Sequence, residues 1–482
     1  MIVPVEFFRF FDVFALPAEL PFIVGHYGSL LAILSGGMIS GGVQAQKRVN
    51  NKFNLNRFSE RTPAPKRTPA PKRTPAPKRT PAPKRTPALP LAFQPHDHHN
   101  RPMRYTRMPI EIESPEQMGY GNIRNNLTES SFSDIRTDEF DLDLKRLLLC
   151  YGDHVGNPEL RAMIAADANQ NARNIAGASP ISAQAILLTP GAAGALFIIN
   201  TTLLEKGDTL LVEHPNYGTN IETPRALGAR VELFKLTFEE GFRPNLAQLE
   251  AAIQSKKPKL VSITTPHNPT GVQLPLDDLL AIVAMTKKAG AWLLVDETYR
   301  DMAFGNPLPV AASLGEHVLS VSSFSKTYGL PGIRLGWVIT RNPELQEKFL
   351  AAKEQIVICG SVVDEEIGTQ FYRKREVHLP RIRSEILAMR QVLKEWFASQ
   401  DGLEWVEPEA GVVCFPRIRD TNTVSVEKFY QILNGEFGTF VGPGHWFEMD
   451  RRYMRIGYAW PKEQELRAGL DAISRAIDMA RR

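Results

Sequence analysis

Five short tracts of this 482-residue chain carry groups able to do chemistry together, and each stands at the end of an apolar run. They are Thr189-Pro190-Gly191-Ala192-Ala193-Gly194, His214-Pro215-Asn216-Tyr217, Pro266-His267-Asn268-Pro269-Thr270-Gly271, Asp296-Glu297-Thr298-Tyr299 and Ser323-Phe324-Ser325-Lys326. Gly191-Ala192-Ala193 opens a predicted helix directly after a strand, so small side chains let a phosphate approach free backbone N–H groups. Lys326 lies among two serines with Arg334 eight residues on, which offers an amine nucleophile beside a cationic clamp. Taken singly, Asp296 reads as a helix cap, Asn268 as a turn former and Tyr217 as an ordinary aromatic. Taken together, the five ends describe a cofactor site.

The elements that must position these groups follow from periodicity. Apolar runs of strand length at 185–189, 209–213, 230–236, 260–264, 292–296, 318–322 and 334–339 alternate with helix-length amphipathic stretches at 192–204, 246–254 and 276–288. That alternation predicts an α/β fold with a mainly parallel sheet between helices, and ligands in such folds gather outside the carboxyl ends of the strands. After residue 342 long helical patterns (344–356, 365–397) precede short strands near 412–415 and 454–459. The expected division is an arm and small-domain segment over 108–150, a large domain over 151–342 and a small α+β domain over 343–482.

HNPTG, DETY and SFSKTYGLPGIRLG stand in the order and at the spacings of one family. Over about 120–480 the sequence resembles the fold-type I pyridoxal 5'-phosphate enzymes, specifically the class I/II aminotransferases. The resemblance implies that Lys326 holds the cofactor aldehyde as a Schiff base and shuttles the proton at the substrate α-carbon. It implies Asp296 as the buried carboxylate that keeps the pyridine nitrogen protonated, with Tyr299 and Asn268 bonding the ring's phenolic oxygen. Ala192, Ala193, Ser323, Ser325 and Arg334 match the phosphate ligands, Tyr217 the aromatic stacked on the ring, and Arg455 the guanidinium that pairs with the substrate α-carboxylate. Tyr151 matches a tyrosine that reaches the phosphate from a neighbouring subunit, which implies a homodimer with shared sites. The implied activity moves an amino group between an L-amino acid and a 2-oxo acid.

The tract Asn126-Leu127-Thr128-Glu129-Ser130-Ser131 resembles the N-terminal substrate loop of this family, which in the aminocyclopropane-carboxylate synthase branch places a glutamate near a cationic substrate. GVVCFPR and the PGHWF…MRIGYAWP tail resemble the capreomycidine synthase branch, so a lyase or cyclase acting on a cationic amino acid stands as the alternative outcome.

Composition bounds the rest. The chain holds 57 Lys and Arg against 53 Asp and Glu, yet residues 1–107 alone carry 17 basic and 5 acidic residues. Any attraction to nucleic acid or acidic membranes is confined to that front end. Residues 61–90 repeat RTPAPK with a six-residue period, which cannot bury a core and reads as a disordered spacer. The uncharged stretch 20–43 has the length of a membrane span but carries Pro21, His26 and scattered glycines, so no membrane insertion is expected. His96, Asp97, His98 and His99 read as a solvated turn, and no metal is expected. Met103 or Met108 offers an alternative start. The front end lacks the paired amphipathic helices of a DNA-binding helix-turn-helix, so a cofactor-binding transcription regulator is the remote alternative. Three scattered cysteines suit a reducing, cytoplasmic setting.

Overall fold

The computed structural model describes residues 104–481. The expectations for 20–43, for the repeat at 61–90 and for His96–His99 lie outside the described residues.

Two one-turn helices, α1 (Pro109–Ile112) and α2 (Pro115–Met118), are the first elements of the described residues and precede strand β1 (Asn125–Leu127). Helix α3 (Pro158–Ala172) follows, capped by the Asn157 side chain, and leads to β2 (Ile186–Pro190) and α4 (Gly191–Leu203). Then come β3 (Thr209–His214), α5 (Thr219–Leu227), β4 (Arg230–Lys235), α6 (Leu246–Lys256), β5 (Leu260–Thr264), α7 (Leu276–Ala289), β6 (Trp292–Asp296), β7 (Val318–Ser323) and β8 (Leu335–Thr340). The last third holds α8 (Pro343–Val357), α9 (Val362–Arg373), α10 (Arg375–Phe397), β9 (Leu403–Glu404), β10 (Val413–Cys414), β11 (Arg417–Ile418), α11 (Val426–Gly435), β12 (Thr439–Pro443), β13 (Met454–Gly457) and α12 (Glu463–Met479).

Seven strands form one sheet in the order β2-β8-β7-β6-β5-β3-β4. Its inner strands read as largely apolar runs because helices cover both faces, whereas the edge strand β4 is charged and half exposed. Leu293 and Val295 of β6 meet Leu249 and Ile253 of α6 and Leu279, Ile282 and Val283 of α7, whereas Leu294 faces the α4 side with Leu196 and Ile199. Each such side chain taken out of water contributes about 1.5–3 kcal/mol before chain entropy is set against it.

One strand departs from the parallel sense. β8 runs antiparallel to both β2 and β7, pairing Ser323 with Gly336 and Pro190 with Leu335. Its first residues therefore lie at the same sheet edge as the carboxyl ends of its neighbours. The strand expected over 334–339 begins one residue later, because Arg334 adopts a left-handed φ of 46° after the single turn Pro331–Ile333. The helix expected over 365–397 is two helices. Lys374 leaves the helical path (φ −103°, ψ 16°), and beyond the break Arg375 is buried against Asp167 and Asp301. A local pattern of apolar residues does not register a break driven by a buried ion pair.

A second sheet, in the order β1-β12-β13-β10, brings the two ends of the described chain together. β1 pairs in parallel with β12, Asn126 opposite Phe440, and β12 pairs antiparallel with β13. β9 and β11 form a separate pair. Among the described residues no helix is long and apolar enough to cross a membrane.

Candidate active site

The carboxyl ends of β5, β6 and β7, the start of α4 and the Arg455 strand β13 surround one cavity of about 370 Å³, within the ordinary size of a small-molecule site. Lys326, Asp296, Tyr299, Asn268, Tyr217, Ala192, Ala193, Ser323, Ser325, Arg334, Arg455 and Glu129 all line it. Tyr151 does not: it stands on the surface with 80% of its area exposed.

Lys326 follows β7 in the tract that turns back into β8. Its Nζ donates to Ser130 Oγ at 3.1 Å. Burial, then the nearby Arg455 guanidinium, pulls its amine below the ordinary lysine range, with Glu129 acting the other way. Two residues on, Tyr328 donates to Asp301 Oδ2 at 2.6 Å and accepts from Arg375 Nε at 3.0 Å. Arg375 also meets Asp167 at 3.0 Å and Arg300 meets Asp301 at 2.8 Å, so a buried ion cluster fixes the tract that bears the amine.

Asp296 closes β6 with 5% of its surface exposed. Its Oδ1 accepts from the Thr298 hydroxyl at 2.6 Å and the Thr298 N–H at 3.1 Å. Burial pushes its carboxyl above the usual range, and Thr298, Asn220 and Lys326 only partly counter it. A buried carboxylate in that position accommodates a cationic ring N–H. Tyr299 donates to the Ser130 carbonyl at 2.7 Å.

The first turn of α4 has no side-chain cap, and Ala192 and Ala193 face the cavity there. Arg334 Nη1 donates to Ser325 Oγ at 3.3 Å, and the Ser325 N–H donates to Ser323 Oγ at 3.3 Å. The left-handed turn at Arg334 is what aims this side chain at α4: a Cβ on Gly191 would fall 2.6 Å from Arg334 Nη2. Gly336 is equally constrained, since a Cβ there would lie 2.6 Å from the Gly191 carbonyl carbon and 2.8 Å from Ala192 N. Free amides, two hydroxyls and a guanidinium converge on this corner, the donor set a phosphate monoester requires.

Arg455 on β13 is 3% exposed. It donates to Asn268 Oδ1 at 3.1 Å and to the Thr128 carbonyl at 2.7 Å, while its Nε has no partner. An orphaned donor on a buried guanidinium that lines a cavity marks the place of an anion. The Thr128–Ser131 tract reaches Arg455 because β1 pairs with β12, and because Gly457 lacks a Cβ, which would overlap the Glu129 carbonyl. Glu129 itself accepts from Tyr120 Oη and Asn126 Nδ2 at 3.3 Å each. Burial raises its carboxyl pKa, against the pull of Lys326.

Sequence reasoning missed several of these groups. Thr298 was within reach, since a threonine two residues after an aspartate bonds it in an Asx-type turn. Trp446 and the cavity-facing arm residues Glu111, Ser114 and Glu116 carry no local signal, because the chain distances that bring them to the cavity are long; nor does Asn220, which bonds Asp296.

Known proteins resemble this chain over most of its described length. Residues 118–473 match the family model described as aminotransferase class I and II. The chain is 29% identical to capreomycidine synthase of Streptomyces vinaceus over 339 residues, 70% of this chain and 82% of that protein. It is 26% identical to the aspartate aminotransferase of Pyrococcus horikoshii over 335 residues, 68% of this chain and 83% of that one. The crystal structure of a PLP-dependent aminotransferase from Streptococcus suis superimposes with a TM-score of 0.69 at 26% identity, covering 77% of this chain and 97% of that one. With the match spanning nearly all of the described residues and both sheets that build the cavity, the chain belongs to the class I and II aminotransferases.

Proposed function

We propose that the protein is a pyridoxal-phosphate-dependent aminotransferase that moves an amino group between an L-amino acid and a 2-oxo acid, with Lys326 as the amine that holds the cofactor. The observation that carries this reading is the convergence of the Lys326 amine, the buried Asp296 carboxylate and the unpartnered Arg455 Nε in one cavity. Pyridoxal phosphate, when bound, supplies the electron sink for bond cleavage at the substrate α-carbon. The α4 amides, Ser323, Ser325 and Arg334 would hold its phosphate, Asp296 its ring nitrogen, Tyr217 its ring face, and Asn268 with Tyr299 its phenolic oxygen. Arg455 would take the substrate α-carboxylate and so orient the α-carbon within the cavity that Lys326 also lines. The depressed pKa of Lys326 leaves a larger neutral fraction able to take that proton and return it.

The same reading makes the protein a homodimer. Tyr151 is exposed and does not line its own cavity, and Leu148, Leu149, Ile356, Val357 and Ile358 are exposed on the segments flanking it and at the end of α8. The partner subunit's Tyr151 would then complete the phosphate site. The β1–β12 pairing supports grouping 108–150 with a small domain over 343–482 around a large domain over 151–342. Free cysteines at 150, 359 and 414 accord with a cytoplasmic setting.

The similarity to capreomycidine synthase favours a second reading, elimination or cyclisation of a cationic amino acid. Incubation with arginine, ornithine, methionine, phenylalanine, alanine and glutamate and a 2-oxo acid acceptor separates the two. Keto-acid product establishes transamination; loss of amino acid without keto acid establishes the lyase or cyclase. Borohydride reduction followed by peptide mapping should place the cofactor on Lys326, and label on any other residue refutes the assignment.

A further inference from the structure

We propose that the arm over residues 109–118 reads the substrate side chain, and that Glu111 and Glu116 on it, with Glu129 on the facing tract, select an amino acid ending in a guanidinium or ammonium group. The inference rests on the aminotransferase reading of the cavity and concerns which donor it accepts.

The arm is held over the cavity by contacts outside the reacting centre. Glu113 accepts from the Trp446 indole N–H at 2.7 Å and contacts His445 Nε2 at 2.9 Å. Met108 packs on Gly218, where a Cβ would collide with its sulfur, and Ile110 packs against the cluster that contains Phe415 and Trp446. Latched in this way, the arm presents Ile110, Glu111, Ser114, Pro115 and Glu116 to the cavity.

Charge balance then decides the ligand. On the far side Arg334 faces the phosphate corner, Asp296 the ring nitrogen and Arg455 the α-carboxylate. The buried, unpartnered Nε of Arg455 is an independent sign that an anion belongs at that end. Once those pairs form, Glu111, Glu116 and Glu129 remain. Among the described residues no Lys, Arg or His lies within the 4.0 Å of an ion pair to any of the three. Glu129 is the most enclosed of them: burial raises its carboxyl pKa, Lys326 and Arg455 pull it down from the reacting end, and Glu116 pushes it up from the arm. Tyr120, stacked on Trp460 at 6.0 Å and 18°, donates to Glu129 and keeps it aimed inward. A ligand with a carboxylate at one end and a cation at the other satisfies both ends. A neutral side chain leaves the acidic wall uncompensated and an acidic one is repelled.

The test uses the full-length holoenzyme and isosteric pairs: arginine against citrulline, and lysine against 2-aminoheptanoate. Each is followed by keto-acid formation, by titration of the cofactor absorbance and by isothermal calorimetry. Arginine should exceed citrulline in kcat/KM by about tenfold or more, with the difference in KM. Glu111→Gln and Glu116→Gln should each lower that ratio, and the double variant should lower it further, the remainder being due to Glu129. Glu116→Asp should restore part of it. Thermal melting of each variant checks that the fold is kept. A wild-type ratio near one, or a double variant that still discriminates like wild type, overturns the proposal. If no amino acid yields keto acid, the aminotransferase reading fails while calorimetry still decides this one: tighter arginine than citrulline, reduced in the double variant, supports the acidic arm, and equal binding refutes it.

Discussion

Gly457→Ala is the most demanding test of how the cavity is assembled. The Gly457 Cα faces the Glu129 backbone, and a methyl group there would overlap the Glu129 carbonyl oxygen. The obstacle is main chain, which cannot rotate away as a side-chain tip would, so the Thr128–Ser131 tract must shift. That tract accepts from Arg455 at the Thr128 carbonyl, from Tyr299 at the Ser130 carbonyl and from Lys326 at Ser130 Oγ. Overpacking of a tight contact costs about 1–3 kcal/mol, and each hydrogen bond lost adds about 1 kcal/mol. A loss of about 2–4 kcal/mol follows if one bond fails alongside the clash. Urea unfolding of wild type and variant measures it, and substrate titration shows a raised KM because Arg455 loses its anchor. Gly435→Ala is the control: it ends α11 with nothing within 4 Å of its added methyl, and should be neutral or more stable by up to about 1 kcal/mol. A Gly457→Ala protein within about 0.5 kcal/mol of wild type and with unchanged KM would refute the close approach and the positioning drawn from it.

Asp296→Ala should still attach cofactor to Lys326 but lose about 10²–10³ in kcat, measured by steady-state kinetics at saturating substrate; near-wild-type turnover would remove Asp296 from the mechanism. Lys326→Ala should melt like wild type yet give no borohydride-stable adduct by mass spectrometry. Because burial and Arg455 lower the Lys326 pKa, capture of pyridoxal phosphate by the cofactor-free protein should rise with pH and level off below an ordinary lysine's titration; stopped-flow absorbance across pH 6–11 follows it, and a midpoint at the ordinary value contradicts the inferred environment. Arg375→Met leaves Asp167 and Asp301 short of a cation in a buried cluster, a change that typically costs about 3–5 kcal/mol in urea unfolding.

Much of this protein is legible in one dimension. The strands β2, β3, β5, β6 and β7 announce themselves as apolar runs because both faces of the sheet are covered, and their polar ends follow because parallel strands put their carboxyl termini at one edge. HNPTG, DETY and SFSKTYGLPGIRLG therefore locate Asn268, Asp296 and Lys326 without coordinates, and the structure lines the cavity with each of them. The antiparallel sense of β8 has no such signature. Residue periodicity is the same in both directions, yet it is this sense that returns Arg334 to the phosphate corner. The break at Lys374 escapes for a related reason: it serves Arg375's pairing with Asp167, more than two hundred residues earlier. The substrate side of the cavity is the least legible. Ser130, Glu129 and Arg455 meet only because β1 pairs with β12, and Glu111 and Glu116 enter only because Glu113 ties the arm to the loop at His445 and Trp446. The chemistry at the strand ends was written into local sequence, where motif and periodicity coincide. Which side chains surround the substrate was decided by tertiary pairing across hundreds of residues, because burial and hydrogen bonding there join segments whose local patterns are independent of one another.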